Sequence, residues 1–275
     1  MRSRLLFLLL ACGAAAGCGE STTGSRVVLR TAVVTDLPAD RTFVTNLGWT
    51  VTLTRGAIAT GAFYYFSGPP AVVEMANRDS GSGRGWLRTA LRSLSPIGTA
   101  HAHPGHYVPG RAMGQELEPF SLDLMVAEPT MLPDGEGITG TVRSGTFSFA
   151  APPAGPLADM LGGAVVLLEG IAVKGAETIN FRVAADLADV QANAKDAQII
   201  GSTFQETEVA GDGLVTATIH PQAWFLLVNF AGLPPGSPEA PTTLEPGTTP
   251  RIAFALGLAQ IAAYSFAFTP SETTP

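Results

Sequence analysis

The sequence Trp-Thr-Val-Thr-Leu-Thr at residues 49–54 indicates the fold class, because large apolar side chains occupy the odd positions and threonines the even ones. Successive side chains of a β-strand point to opposite faces, so this period of two predicts a strand with one buried face and one solvated face. Threonine and valine also favour strands, because their branched side chains fit a pleated surface. The stretch therefore indicates a β protein.

A longer alternating stretch lies near the C-terminus, at residues 252–268, and contains no charged residue. Its even positions hold mostly large side chains, such as Phe254 and Phe266, and its odd positions hold mostly small ones. A helix in lipid gains nothing from this alternation, whereas a strand gains a core face of large side chains. We expect one strand here, or two strands that join near Gln260.

The composition agrees with short strands joined by tight turns. Charged residues make up 14% of the chain, below the roughly 25% usual for soluble proteins, and 31 glycines and 21 prolines supply turn formers. Further strands are predicted at residues 27–35, 57–66, 120–127, 138–149, 164–173, 178–185 and 214–219. Together these features predict an all-β chain folded as an antiparallel β-sandwich, immunoglobulin-like or jelly-roll-like, with about ten short strands.

One domain is expected over residues 27–269. A long histidine-containing loop, residues 77–109, interrupts it, and residues 84–94 within that loop carry apolar side chains at helical spacing. Residues 233–251 hold six prolines and are expected to form an extended loop. A further helical turn is expected near Asp186, between predicted strands, and residues 270–275 are expected to be a disordered tail.

The N-terminus resembles the signal peptide of bacterial lipoprotein precursors. Arg2 and Arg4 precede thirteen uncharged, mostly apolar residues, and the small residues at positions 15–17 lead directly to Cys18. The resemblance implies a signal peptide at residues 1–17, a lipidated Cys18, and a flexible tether at residues 18–26. Because Gly19 stands where aspartate is the usual signal for inner-membrane retention, it also implies an outer-membrane lipoprotein, facing the periplasm or the surface.

Cleavage of this signal peptide affects both the cysteine content and the charge of the mature chain. Both cysteines, Cys12 and Cys18, lie within the first eighteen residues, so no cysteine is left for a disulfide, a thiolate metal ligand or a nucleophile. The formal charge of −7 becomes −9, because residues 1–17 contain two arginines and no acidic residue. An acidic surface argues against nucleic acid as a partner. The expected partners are the membrane, through the anchor, and an envelope protein.

Three of the four histidines, His101, His103 and His106, lie within six residues. In an extended segment His101 and His103 share one side, and the turn favoured by Pro104-Gly105 could bring His106 back towards them. Neutral imidazole is a common ligand of Zn²⁺ and Cu²⁺. The cluster predicts a transition-metal site, and the alternative is a solvated loop whose histidines bind nothing.

The fourth ligand of such a site stays open between His220, Glu116, Glu118, Asp123 and water. Tyr107 is expected either to contact the ligands or to anchor the loop. The metalloprotease pattern His-Glu-x-x-His, the Gly-x-Ser-x-Gly elbow of serine hydrolases and the phosphate-binding loops are all absent from the sequence. We therefore expect a binding protein rather than an enzyme.

Two functions remain possible from the sequence. The first is an envelope lipoprotein that captures or delivers Cu²⁺ or Zn²⁺. The alternative is a metal-free binding or structural module for a protein or carbohydrate partner, which could use the aromatic strand at residues 63–66.

Overall fold

A computed structural model of the chain describes residues 24–71 and 107–271. These residues form strands joined by a few short helices. The strands, numbered along the chain, are β1 (Arg26–Thr35), β2 (Thr42–Val44), β3 (Thr50–Thr60), β4 (Phe63–Phe66), β5 (Ala112–Glu116), β6 (Phe120–Asp123), β7 (Thr130–Ile138), β8 (Gly140–Ser148), β9 (Val166–Lys174), β10 (Glu177–Ala185), β11 (Gln198–Val209), β12 (Gly213–Ile219), β13 (Thr242–Thr243) and β14 (Tyr264–Pro270). The helices are α1 (Ala158–Leu161), α2 (Leu187–Gln191), α3 (Pro221–Trp224) and α4 (Thr249–Leu258), with 3₁₀ turns at Lys195–Ala197 and Ile261–Ala263.

Eight of the strands close into a barrel in the order β1-β12-β14-β11-β8-β4-β5-β7, and β7 pairs with β1 again. A second sheet has the order β13-β10-β9-β3-β2, with β6 also paired to β3. The predicted antiparallel β-sandwich is therefore wrong, although the all-β class is confirmed. Three pairs are parallel, β1 with β12, β11 with β14 and β10 with β13. Alternation along a strand reports which face is buried and not which strand lies beside it, so the sequence pattern does not distinguish a closed barrel from a sandwich.

Aromatic side chains fill the barrel. Phe63, Tyr65, Phe147, Tyr264 and Phe266 are almost fully buried. The rings of Phe147 and Tyr264 stack with their centroids 4.2 Å apart, and those of Phe63 and Phe147 meet edge to face at 5.3 Å. Such pairs add to the stabilisation that burial of the rings already gives. The core continues without interruption from the barrel to the second sheet.

The predicted C-terminal strand is confirmed only in its second half. Residues 252–258 belong to helix α4, whereas Tyr264–Pro270 is strand β14. The helix buries Arg251, Phe254, Ala255 and Leu258, which recur at helical spacing, and leaves Ile252 half-exposed. The alternation of large and small residues was consistent with this spacing too, and Pro250 in the first turn favours the start of a helix.

Other local predictions have mixed outcomes. The helical turn near Asp186 is confirmed as α2, where Asp186 and Asp189 each accept a hydrogen bond from the other's backbone N–H. The sequence Pro-Asp-Gly at residues 133–135 is typical of a turn, but it lies inside strand β7. The predicted helix at residues 84–94 lies outside the described residues, and so does the part of the predicted tail, residues 270–275, that follows residue 271. Within residues 24–71 and 107–271, no helix reaches the length and apolarity needed to cross a bilayer.

Candidate functional site

The long insertion that contains the histidine cluster is joined to the barrel by two chain segments that lie side by side. We call these segments, residues 67–71 and 107–111, the neck. The Gly68 N–H donates to Pro109 O at 2.8 Å, and the Ala71 N–H donates to Gly201 O at 2.9 Å. A Cβ atom added to Gly68 would lie 2.3 Å from Pro109 O, so the close approach of the two segments requires glycine there.

Tyr107 fixes the returning segment to the barrel wall. Its Oη lies 2.8 Å from Pro69 O and 2.9 Å from Ser144 Oγ. The hydroxyl of Ser144, a fully buried residue of β8, donates in turn to Gly68 O at 2.9 Å. These contacts connect both segments of the neck to one strand. The predicted role of Tyr107 beside the histidines is untested, but its anchoring role is evident.

His101, His103 and His106 lie outside the described residues, so the predicted ligand cluster is neither assembled nor excluded. Within residues 24–71 and 107–271, no group of three or more His, Cys, Asp or Glu side chains is placed to hold a metal ion.

Glu116, one candidate for the fourth ligand, ends strand β5 and is 2% exposed. Its Oε1 accepts a hydrogen bond from the backbone N–H of Glu118 at 2.8 Å. Burial raises the pKa of Glu116, and the negative charges of Glu118 and Asp134 act in the same direction. Asp123 likewise uses Oδ1 to accept from the Met125 N–H. The carboxylates of Glu116 and Asp123 therefore already serve local backbone donors.

His220, another candidate for the fourth ligand, lies between two polar side chains that the sequence did not connect with it. Its Nδ1 is 2.8 Å from Asp36 Oδ2, and its Nε2 is 3.0 Å from Ser265 Oγ. Gln222 Nε2 also donates to Asp36 Oδ2, at 3.4 Å. About a quarter of the His220 side chain is exposed, against 60% for Asp36. The order carboxylate–imidazole–hydroxyl is the one used in serine-nucleophile triads.

The barrel topology brings Asp36, His220 and Ser265 together. Strands β1 and β12 run parallel. Asp36 directly follows β1 and His220 directly follows β12, so both residues lie at the same end of the barrel. The Asp36 N–H donates to Ile219 O at 2.8 Å, which keeps the two strand ends in register. Ser265 lies opposite Thr218 on the neighbouring strand β14. Because parallel pairing of distant strands has no short sequence signature, only the fold could show this cluster.

A groove of about 690 Å³ lies beside the opposite end of β1. Its lining combines apolar side chains with a few charged and amide groups: Arg26, Val28, Met113, Gln115, Glu136 and Asp212. Gln115 Nε2 donates to Glu136 Oε1 at 2.9 Å, and Asp212 Oδ1 accepts from the Val28 N–H at 2.8 Å. A concave surface with few oriented polar groups is typical of small-ligand sites.

The aromatic strand expected to offer a binding face is β4. Phe63 and Tyr65 are buried in the barrel, whereas Tyr64 and Phe66 are half-buried on the other side, with ring centroids 6.4 Å apart. Two of the four aromatic side chains of β4 are therefore core residues, and the other two lie on its outer face.

Comparisons with protein-family models, with curated proteins and with solved structures find no match.

Proposed function

We propose that this chain is a cell-envelope lipoprotein, anchored through Cys18, whose barrel carries a transition-metal site for Cu²⁺ or Zn²⁺. The ligands are the imidazoles of His101, His103 and His106. The role is capture of the ion or its delivery to a membrane partner. No catalytic step is assigned to the metal.

The observation that carries this proposal is that the chain is fixed to the barrel at the residue directly after the histidine cluster in the sequence. The residue that follows His106 is Tyr107, whose Oη lies 2.9 Å from Ser144 Oγ on strand β8. Three potential ligands within six residues thus end one residue before a fixed point on the barrel. A fixed end reduces the conformational entropy that the segment loses when it wraps an ion, which favours binding.

The fourth position is assigned to water rather than to a side chain of the barrel. Glu116 is buried and accepts a backbone hydrogen bond. Both ring nitrogens of His220 have partners, Asp36 and Ser265. A metal would have to break these contacts to recruit either residue, and an unpaired buried group is costly. An open position filled by water also suits an ion that must be handed on.

Calorimetric titration of the purified chain, without a histidine tag, tests this proposal. The parent should bind one Zn²⁺ or Cu²⁺ ion, and the variant with His101, His103 and His106 all replaced by alanine should lose that binding. His220→Ala is the matched control, because it removes the fourth histidine of the chain and should leave the affinity unchanged. Equal binding by the triple variant, or none by the parent, contradicts the proposal.

The groove beside β1 supports a second candidate function, a metal-free module that binds a carbohydrate. Its mixture of apolar lining and the charged groups of Arg26, Glu136 and Asp212 fits a ligand with many hydroxyl groups. Oligosaccharides, including peptidoglycan fragments, should then bind the parent, and Ala112→Trp, which fills the groove, should abolish the binding. Sugar binding that survives this substitution, or none at all, excludes the groove.

A further inference from the structure

The cluster of Asp36, His220 and Ser265 has the geometry of a general-base relay. An aspartate at 2.8 Å from Nδ1 accepts the proton of that nitrogen and so places the lone pair of the neutral ring on Nε2. This lone pair faces the Ser265 hydroxyl at 3.0 Å, which therefore donates to it. Such an arrangement lets imidazole remove the proton as the serine oxygen attacks a substrate.

The three side chains are held by backbone that is itself fixed. The His220 N–H donates to Ala263 O at 2.9 Å, and His220 O accepts from the Ala223 N–H at 3.0 Å. Ser265 is paired with Thr218 on one neighbouring strand and with Thr203 on the other. Ser265 lies on a strand and the other two residues directly follow strands, and positioning on such rigid elements holds reacting groups more accurately than positioning on loops.

Ser265 lies on the face of β14 that points away from the core and is partly exposed. Along β14, Tyr264 and Phe266 are buried, whereas Ser265 is half-buried on the opposite face. The partial exposure of His220 and the larger exposure of Asp36 show that the cluster lies at the surface. This partial exposure is the route by which a small reagent would reach Ser265.

We propose that Ser265 is a nucleophile activated by His220, with Asp36 as the residue that positions the imidazole, and that it reacts with activated carboxylic esters. Ser265 Oγ bonds to the carbonyl carbon while its proton passes to His220 Nε2. The bond to the leaving alkoxide then breaks, and His220 returns the proton to it. Water attacks the acyl group in the same way, and its proton passes through His220 to Ser265 Oγ as the carboxylic acid leaves.

Activated esters and phosphonylating reagents are the expected class because they need the least stabilisation of a developing oxyanion. A fluorophosphonate is the sharpest probe: Ser265 Oγ bonds to phosphorus, fluoride leaves, and His220 takes the proton. The site is distinct from the proposed metal site, so the reaction should proceed equally in the presence of a chelator and in the variant that lacks His101, His103 and His106.

The test is fluorophosphonate labelling of the full chain, with the modified peptide identified by mass spectrometry. The parent should be labelled at Ser265, and Ser265→Ala should not be labelled. His220→Ala should be labelled at least about 100-fold more slowly than the parent, because a general base usually contributes that much to the rate. Asp36→Asn should also slow the reaction. Ser271→Ala is the control: it removes a serine just beyond the other end of β14 whose Oγ accepts from Arg30, and labelling should be unchanged.

The alternative is that Asp36, His220 and Ser265 only stabilise the strand ends through their hydrogen bonds. In that case Ser265 is not labelled in the parent, or His220→Ala reacts as fast as the parent, and either outcome overturns the proposal. Circular dichroism of each variant is the control that checks whether the barrel is intact. Hydrolysis of p-nitrophenyl acetate, lost in both Ser265→Ala and His220→Ala, provides the second readout.

Discussion

Gly145→Ala should destabilise the barrel, because Gly145 on β8 faces a ring from a strand that is not its neighbour. A Cβ atom at Gly145 would lie 2.5 Å and 2.6 Å from two ring carbons of Phe266 on β14, about 1 Å inside the usual carbon–carbon contact. Phe266 cannot move aside easily, because Phe63, Tyr65 and Phe204 surround it at centroid distances of 6.4, 6.0 and 6.1 Å. Strand β11 lies between β8 and β14, so the contact crosses the barrel interior.

The expected cost of Gly145→Ala is about 1–3 kcal/mol, the usual cost of overpacking. In a protein of this size each kcal/mol lowers the Tm by about 2–4 °C. Phe266→Leu should itself cost less than the roughly 3–5 kcal/mol of a phenylalanine-to-alanine change. Because the smaller leucine leaves room for the new methyl group, the double variant should be more stable than the sum of the two single changes predicts, by about 0.5 kcal/mol or more.

Urea unfolding followed by circular dichroism measures all three variants, and the slope of the free energy against urea shows whether the unfolding remains comparable. Gly211→Ala is the matched control, since no atom lies within 4 Å of a Cβ at that position, and its effect should stay within about 0.5 kcal/mol. If Gly145→Ala is as mild as this control, or if the two changes add, β8 and β14 do not face each other as described.

Three further predictions concern charge and location. Burial raises the pKa of Glu116 above 4.5, so the stability this residue contributes is lost as the pH rises through the raised value. Glu116→Gln should therefore raise the Tm relative to the parent more at neutral pH than at about pH 4, and an equal difference at both pH values contradicts this. Burial of Asp189 alone would raise its pKa, but the Arg251 ion pair and the hydrogen bonds with Asp186 together outweigh burial and lower the pKa below 3.8. The contribution of Asp189 to stability is therefore present at neutral pH and is lost as the pH falls through the lowered value. Asp189→Asn, which leaves Arg251 charged and 4% exposed, should cost about 3 kcal/mol at neutral pH in urea unfolding and less in acid; a cost independent of pH rejects the ion pair as its source. We predict sorting to the outer membrane through an anchor at Cys18, so Cys18→Ser should leave an uncleaved precursor or a soluble protein, and recovery of the parent in the inner-membrane fraction would disprove the sorting prediction.

Local pattern predicted much of the secondary structure. The alternating residues 49–54 correspond to the start of β3. The strand predicted at residues 214–219 corresponds to β12, and the odd-numbered residues of β12 are all buried. Strand β11 was not predicted, because its C-terminal half contains polar residues such as Gln205 and Glu206. These residues interrupt the alternation of apolar and polar side chains. Helix α4 was predicted as a strand, because its small residues fit a period of two as well as the helical one.

The sequence did not predict which strands lie side by side, and it therefore did not predict the cluster of Asp36, His220 and Ser265. Asp36, His220 and Ser265 are separated by 184 and 45 residues along the chain, and none belongs to a recognised motif. Their proximity follows from the parallel pairing of β1 with β12 and from the position of β14 beside β12. The histidine cluster is the reverse case, because short spacing makes it visible in the sequence.

The central proposal is metal binding by that histidine cluster, and its most direct test is titration of the untagged chain with Zn²⁺ and Cu²⁺ at several pH values. Protons and metal compete for the same imidazole nitrogens, and an ordinary histidine has a pKa near 6.5. The affinity should therefore fall steeply between about pH 7 and pH 5, with more than one proton taken up for each ion released. A site made only of carboxylates would hold its ion to roughly pH 4–5. An affinity that stays constant from about pH 7 to pH 5.5 would contradict the histidine site even if an ion binds.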